Sequence, residues 1–383
     1  MLDYQTIRDR TLEICAGLET EDFVVQPHEF ISPPKWHLGH ATWFFETMCL
    51  QKFFQTTPYN PTFPFIFNSY YEALGEHVPQ GRRGVLSRPT VREVQVYRQH
   101  VDRRMREAAS IIKDRGKETQ ARWAETVELG LHHEQQHQEL LFMDIKHILS
   151  HQRELPSLPG APLEGKEAPT SNQKIDIRGG VHSIGCRDDE GFCYDNERAR
   201  HEVYLRDYSI CANLVTNREF HEFIDDGGYK RPEFWLADGW EWVKASQIRA
   251  PLYWTHDAKI YTLQGEVTIS PNAPVCHVSY FEADAFARWK KCRLPSEAEW
   301  EVAFRGQPRQ DLWQWTASAY LPYPGFQPFA EAAQEYNGKF MSGQMVLRGG
   351  CLATPGSHYR STYRNFFYPS MRWMFSGIRL CAQ

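Results

Sequence analysis

No stretch of the 383 residues approaches the roughly 18 consecutive apolar residues of a transmembrane helix, and the mean hydropathy is −0.57. The opening MLDYQTIRDR lacks the basic-then-apolar layout of a secretory signal, so a soluble, cytoplasmic protein is expected. A basic block is also missing: 43 Lys and Arg face 48 Asp and Glu for a formal charge of −5, which makes nucleic acid and membrane surfaces poor partners. The nine cysteines (15, 49, 186, 193, 211, 276, 292, 351, 381) form no CxxC pair and are odd in number. Neither a disulfide framework nor a Cys-rich zinc site is expected, and most cysteines should be reduced core residues. Repeats and low-complexity tracts are absent as well.

The chain is instead rich in aromatics, at 14% with 12 Trp, and holds 16 His. Its first 150 residues read as helices. Tyr4, Ile7, Leu12 and Cys15 recur at helical intervals, and Ser32-Pro33 supplies an N-cap and a first-turn proline for a helix running to about Phe53. A third helix starts at Thr90 and carries Val91, Val94, Tyr97, Val101, Ala108 and Ile111. A fourth starts near Thr119 and carries Trp123, Val127, Leu131, Leu140 and Ile148. A four-helix bundle over 1–150 is the simplest architecture. The Pro- and aromatic-rich stretch between the second and third helices is expected to be a long ordered loop.

Residues 151–173, with Pro156, Pro159, Pro162 and Pro169, read as an extended linker. From 174 to 383 short apolar runs (IDIRGGVHSIG, HEVYLRDYSI, PVCHVSY, QMVLRGG) alternate with Gly and Pro, with helices at about 216–226 and 280–291, as in an α+β domain.

The sharpest local feature is LHHEQQHQELL, where His133 and His137 stand at i and i+4 and project from one helix face. WHLGH on the second helix offers a third imidazole from His37 or His40, and we assign His40. Such pairs are often plain core or surface residues, but here two of them share one bundle. Three neutral imidazoles with open positions suit Fe(II) or Zn(II). Gln136 and Glu139 flank the site.

SPPKWHLGHATWFFE, FNSYYEALG and HHEQQHQE resemble the DinB-like bundle of the nonheme-iron sulfoxide synthases of ergothioneine biosynthesis, the EgtB type. DNERARHEVYL, RLPSEAEWE, LWQWTAS, EYNGKFMSGQMVLRGG and YRNFFYPSMRWMFSGIRL resemble the formylglycine-generating, C-type-lectin-like α+β domain that follows the bundle in those synthases. The resemblance implies Fe(II) on His40, His133 and His137, and O2 as co-substrate. It implies a thiol joined as a sulfoxide to C2 of hercynine, whose trimethylammonium group needs an aromatic cage. Asn365, Phe366, Phe367 and Gln136 are the implied substrate contacts. Arg82, Arg83 and Arg88 are candidates for a substrate carboxylate. Tyr70 and Tyr71 match the tandem tyrosines of the cysteine-using branch, where a phenol could deliver a proton or a hydrogen atom.

Cysteine is the expected thiol, because Phe366-Phe367-Tyr368 stands where the branch using γ-glutamylcysteine has an acidic residue. RGG is followed by Cys351 and then by LATPGSHYRSTYR without cysteine, so the copper chemistry of formylglycine-generating enzymes is not expected. The short spacing between EWEVAFRG and LWQWT puts that domain's usual structural metal sites in question. Selenoneine or ovothiol-type synthesis on the same scaffold is the first alternative, and a non-catalytic binding module the second. YNGKF and PGSHYR read as structural turns without an assigned role. The role of His37, the oligomeric state and the identity of the proton-donating tyrosine stay open.

Overall fold

The computed structural model describes residues 2–167, 173–187, 189–329 and 335–382. Its contacts divide the chain into two units, the first holding the residues up to Ala161 together with Glu335 and Tyr336, the second the remainder from Pro162.

The first unit is helical. α1 (Tyr4–Ile14) packs on α4 (Lys117–Leu149), and α2 (Pro34–Phe44) packs on both α3 (Val91–Ile111) and α4. Asp3 caps α1 through the Thr6 amide, and Thr90 and Glu93 form a reciprocal capping box at the start of α3. Ser32 does not cap α2 as the sequence suggests. Its amide donates to Asp144 and its hydroxyl receives Arg83, so α2 starts at Pro34 without a side-chain cap. Beyond α2 the chain continues as a wider π-helical stretch, Phe45–Gln51, and a last turn at Lys52–Phe54. Gly130 lets this continuation approach α4, because a Cβ there would stand 2.6 Å from Cε1 of Phe45. The long loop holds short turns at Phe63–Phe67, Glu72–Leu74 and Gln80–Val85.

One polar network ties α1, α3 and α4 together. Glu134, fully buried, accepts from Arg8 at 2.7 Å, from Thr11 at 2.6 Å and from Arg98, while Arg8 also reaches Asp102 at 2.7 Å.

The second unit is α+β. Lys174–Ile177, Tyr208–Cys211, Cys381–Ala382 and Cys292–Arg293 form one antiparallel sheet in that order. Asn365–Phe367, Met345–Arg348, Trp313–Ala319 and Ser376–Gly377 form another, whose last pairing is parallel. Two hairpin ribbons, Gly180–Ile184 with His201–Leu205 and Lys259–Thr262 with Gly265–Thr268, complete the strands. Trp300 and Phe304 pack with Leu205, Tyr208, Ile210 and Cys381 into an apolar core.

Four sequence expectations need correction here. PVCHVSY forms no strand, because His277 takes φ +62° and breaks the extended run before the helix Tyr280–Trp289. Two helices escape the periodicity reading, Ala237–Ser246 and Glu297–Phe304. Cys186 and Cys193, seven residues apart, are brought to a Cα separation of 6.5 Å and paired as a disulfide. The linker is not bare: Leu158 is buried, Glu164 accepts from the Leu263 amide and Glu167 from the Ser270 hydroxyl. Residues 168–172 of the linker lie outside the described residues. Among the described residues no helix is long and apolar enough to cross a membrane.

Candidate metal centre

On α4 the four-residue step carries His133 and His137 to one face, and α2 lays His40 against them. One ligand atom from each lies within 4.8 Å of the others. All three are buried, at 0% (His40), 1% (His133) and 8% (His137) exposure. Nε2 of His40 and Nε2 of His133 are 3.1 Å apart. Nδ1 of His40 is committed elsewhere, donating to the Phe67 carbonyl at 2.6 Å, which turns its Nε2 lone pair to the centre. Gly39 permits that contact. A Cβ at this position would lie 2.1 Å from the Phe67 ring.

Aromatic walls close the site. Trp36 stacks on His40 at 4.5 Å and Trp43 lies 5.6 Å from it on a nearly parallel plane, while Phe44 is 4.5 Å from His133. Burial disfavours the imidazolium form, and the neighbouring imidazoles add to this at His40 and His137. The pKa of His133 falls to about 3, and those of His40 and His137 fall well below the ordinary histidine value. The result is three neutral nitrogen donors and no carboxylate or thiolate among them. That set fits a divalent first-row ion such as Fe(II) or Zn(II).

The remaining candidates separate. Arg83 is buried, with its guanidinium 3.4 Å from the centre of the Trp36 ring and its Nη atoms donating to Ser32 and Ser69 at 2.7 and 2.8 Å. Burial lowers its pKa to about 9, against the pull of Asp144. Arg82 and Arg88 are exposed, and Arg88 donates to the carbonyl of Ser87 beside it. Tyr70 is half-buried and stacks on Tyr71 at 4.8 Å. Tyr71 is fully buried, 5.8 Å from Trp43.

Asn365, Phe366 and Phe367 belong to the second unit. There Phe366 stacks on Tyr320 at 4.0 Å with Phe340 at 5.9 Å, and Phe367 faces Trp373 at 6.3 Å.

Sequence reasoning missed Tyr336. It stands in YNGKF, which reads as a plain turn, yet its ring lies 5.8 Å from His133 and its hydroxyl donates to Oε1 of Gln136 at 3.0 Å. The preceding Glu335 accepts from the amides of Glu72 and Ala73, directly after the tandem tyrosines. No local pattern announces a contact across 200 residues of sequence.

Two family models match the chain: the DinB superfamily over residues 3–141 and the sulfatase-modifying factor enzyme 1-like domain over 161–311. Hercynine oxygenase from Mycolicibacterium smegmatis is 31% identical over 307 residues, covering 66% of this chain and 70% of that protein. The chain belongs to the hercynine oxygenase family. The Mycobacterium tuberculosis hercynine oxygenase is 33% identical over 241 residues, where the match spans 50% of this chain and 56% of the relative. A formylglycine-generating enzyme from Streptomyces coelicolor is 31% identical over 166 residues, or 39% of this chain and 52% of that one.

Proposed function

We propose that the protein is an O2-dependent nonheme Fe(II) sulfoxide synthase that joins the sulfur of cysteine to C2 of the hercynine imidazole. The observation that carries this reading is the buried trio of neutral imidazoles in a chain of this family. The overall change balances: S–H, C2–H and O2 give the C–S(O) sulfoxide and one water. Bound iron would supply the redox centre and open positions at which the reactants meet.

The chain's own residues do the rest. His40, His133 and His137 would hold the ion, and Trp36, Trp43 and Phe44 would keep bulk water from it. Gln136, fixed by the Tyr336 hydroxyl, orients a substrate one turn from His133. Tyr336, Tyr70 and Tyr71 are the phenols available to give up a proton, and Tyr336 is the one whose ring lies against a ligand histidine. Arg83 donates directly to two neutral serines, with the Asp144 carboxylate acting on it without a direct hydrogen bond, and it is the candidate of the three loop arginines for a substrate carboxylate. Asn365, Phe366 and Phe367 are hercynine contacts on the family resemblance alone, and within its own unit Phe366 offers an aromatic stack with Tyr320 of the kind a trimethylammonium group prefers. The same segment lacks the acidic residue that would favour γ-glutamylcysteine.

The test is anaerobic reconstitution with Fe(II), addition of hercynine with cysteine, γ-glutamylcysteine or a selenosugar in parallel, then O2 and mass spectrometry. A hercynine–cysteine sulfoxide is the expected product. An adduct with another donor would replace the donor assignment. An iron-loaded protein that neither consumes O2 nor forms any adduct would overturn the reading.

A further inference from the structure

His37 has no role in the site as described so far, yet it lies in its wall, 2% exposed. Its Nδ1 is 2.8 Å from Nδ1 of His137, and its Nε2 is 3.0 Å from Oδ2 of Asp144. The same carboxylate oxygen accepts the Ser32 amide at 3.0 Å. The arrangement follows from helix periodicity. Asp144 stands two turns beyond His137 on α4, and His37 one turn before His40 on α2, so α2 presents one ligand and one supporting group on the same face and α4 presents two ligands and one supporting group.

The hydrogen bonds fix the tautomers in one direction. A carboxylate only accepts, so Nε2 of His37 carries the hydrogen it donates to Asp144. Between two rings that each carry one hydrogen, His37 then keeps its lone pair at Nδ1, and Nδ1 of His137 is the donor. That leaves the lone pair of His137 on Nε2. The opposite assignment would put a hydrogen on Nε2 of His137 and remove it from any coordination sphere. The three ligands are therefore supported unequally: His137 by an imidazole and a carboxylate, His40 by a backbone carbonyl, and His133 through an Nδ1 that meets no hydrogen-bond partner among the described residues.

We infer that His37 and Asp144 are positioning residues that lock His137 as an Nε2 donor and, through the carboxylate, make it the strongest electron donor of the three. His37 is thus not a fourth or alternative ligand. The inference rests on the metal-site reading and not on the identity of the substrates.

The test uses the full chain, stripped of metal and titrated anaerobically with Co(II) and Fe(II) against a chromophoric chelator, with the Co(II) d–d spectrum recorded at saturation. His37→Phe keeps a ring but neither hydrogen bond, and should weaken binding about 10- to 100-fold and shift the d–d bands. His37→Gln, whose amide oxygen can accept from His137 while its NH2 reaches Asp144, should restore affinity to within about threefold. Asp144→Asn should fall between the two, and it carries the test if the phenylalanine variant does not fold. Wild-type affinity and spectrum in His37→Phe would overturn the inference. So would a glutamine variant as weak as the phenylalanine one, which would make His37 a ligand or a packing element. A wild-type protein that binds metal and shows these effects but makes no sulfoxide would sink the proposed function alone. A wild-type protein that binds no metal would sink the site reading, and this inference with it.

Discussion

Both units bury charged or polar side chains, and they resolve the cost in opposite ways. In the second unit buried arginines pair with carboxylates: Arg348 with Glu301 at 2.6 Å, Arg360 with Glu197 at 2.6 Å, Arg364 with Glu297 at 2.9 Å and Arg372 with Glu282 at 3.1 Å. In the first unit Glu134, Arg8 and Arg98 form a closed cluster of the same kind, but one turn of helix presents His133 and His137 to His40, whose Nε2 lies 3.1 Å from Nε2 of His133 with no carboxylate or arginine between them. A closed ion-pair lattice needs nothing from outside and reads as architecture. Three buried neutral imidazoles can share at most a hydrogen between pairs of ring nitrogens, whereas one cation would engage all three lone pairs at once.

The largest effect expected from this difference is on metal loading. His137→Ala removes one of three donors from the trio and should abolish stoichiometric Fe(II) binding, measured by metal analysis after desalting, while circular dichroism and melting of the metal-free protein stay near wild type. A loaded and active His137→Ala protein would end the site assignment. The matching change in the second unit is Glu301→Ala. It leaves Arg348 buried, Glu297 at 3.5 Å being its remaining carboxylate contact, and should cost about 3–5 kcal/mol in denaturant unfolding. Its metal affinity should not change. If the two variants exchanged phenotypes, the division between site and scaffold would be wrong.

A finer version of the comparison uses two tyrosines. Tyr336 donates to Gln136 beside the trio, and Tyr229 donates to buried Glu282 in the second unit. Tyr336→Phe keeps its ring against His133, so iron loading should persist while product analysis shifts from sulfoxide toward oxidised thiol by about tenfold or more. Tyr229→Phe should lower stability by roughly 1–3 kcal/mol and leave the product ratio untouched. An unchanged ratio in Tyr336→Phe would return the proton-donor role to Tyr70 or Tyr71.

Acid should distinguish the units as well. The His133 imidazole titrates at about 3 in the folded chain, and burial pushes those of His40 and His137 down too, against about 6.5 when unfolded. Between these values the unfolded chain binds protons that the folded chain does not, so stability falls as pH falls. The contribution is complete above pH ~6.5 and declines by about 1.4 kcal/mol per pH unit for each histidine until the folded pKa is reached. Calorimetry of metal-free protein at pH 7.5 and 5.5 should show this loss, and a protein lacking His133 and His137 should show less of it. Equal losses in both would mean that the imidazoles are not held neutral by burial.

Helical periodicity made half of the site readable and hid the rest. His133 and His137 follow from their four-residue spacing, WHLGH offers His37 and His40 alike because the helix that carries them is buried on every side, and Thr90 with Glu93 reads as a capping box from sequence alone. The helix Glu297–Phe304 has its own box at Ser296 and Glu299, but Trp300, Phe304, Ala298, Val302 and Ala303 all pack toward the core, so no polar stripe marks it. Of the three loop arginines only Arg83 is buried, since burial depends on the fold of the loop and not on residue type. The pairing of Cys186 with Cys193 and the approach of Tyr336 to His133 depend on turns and long-range packing that local spacing does not encode.

The smallest effect tests how each unit uses the residue before a helix. Thr90, Thr216, Ser279 and Ser296 each close a capping box, whereas Ser32, two residues before α2, is diverted to Arg83 and Asp144. Thr90→Ala should therefore cost about 1 kcal/mol in chemical denaturation with metal affinity unchanged. Ser32→Ala removes no cap. It takes from Arg83 the hydroxyl that holds its guanidinium over Trp36, and Trp36 is the ring that stacks on His40. Its signature should be a disturbed Co(II) spectrum and weaker substrate binding, with the backbone contact from Ser32 to Asp144 preserved. A Ser32→Ala protein that loses stability as Thr90→Ala does, and keeps a wild-type spectrum, would show that the metal-bearing helix is capped like the others and that Arg83 is scaffold.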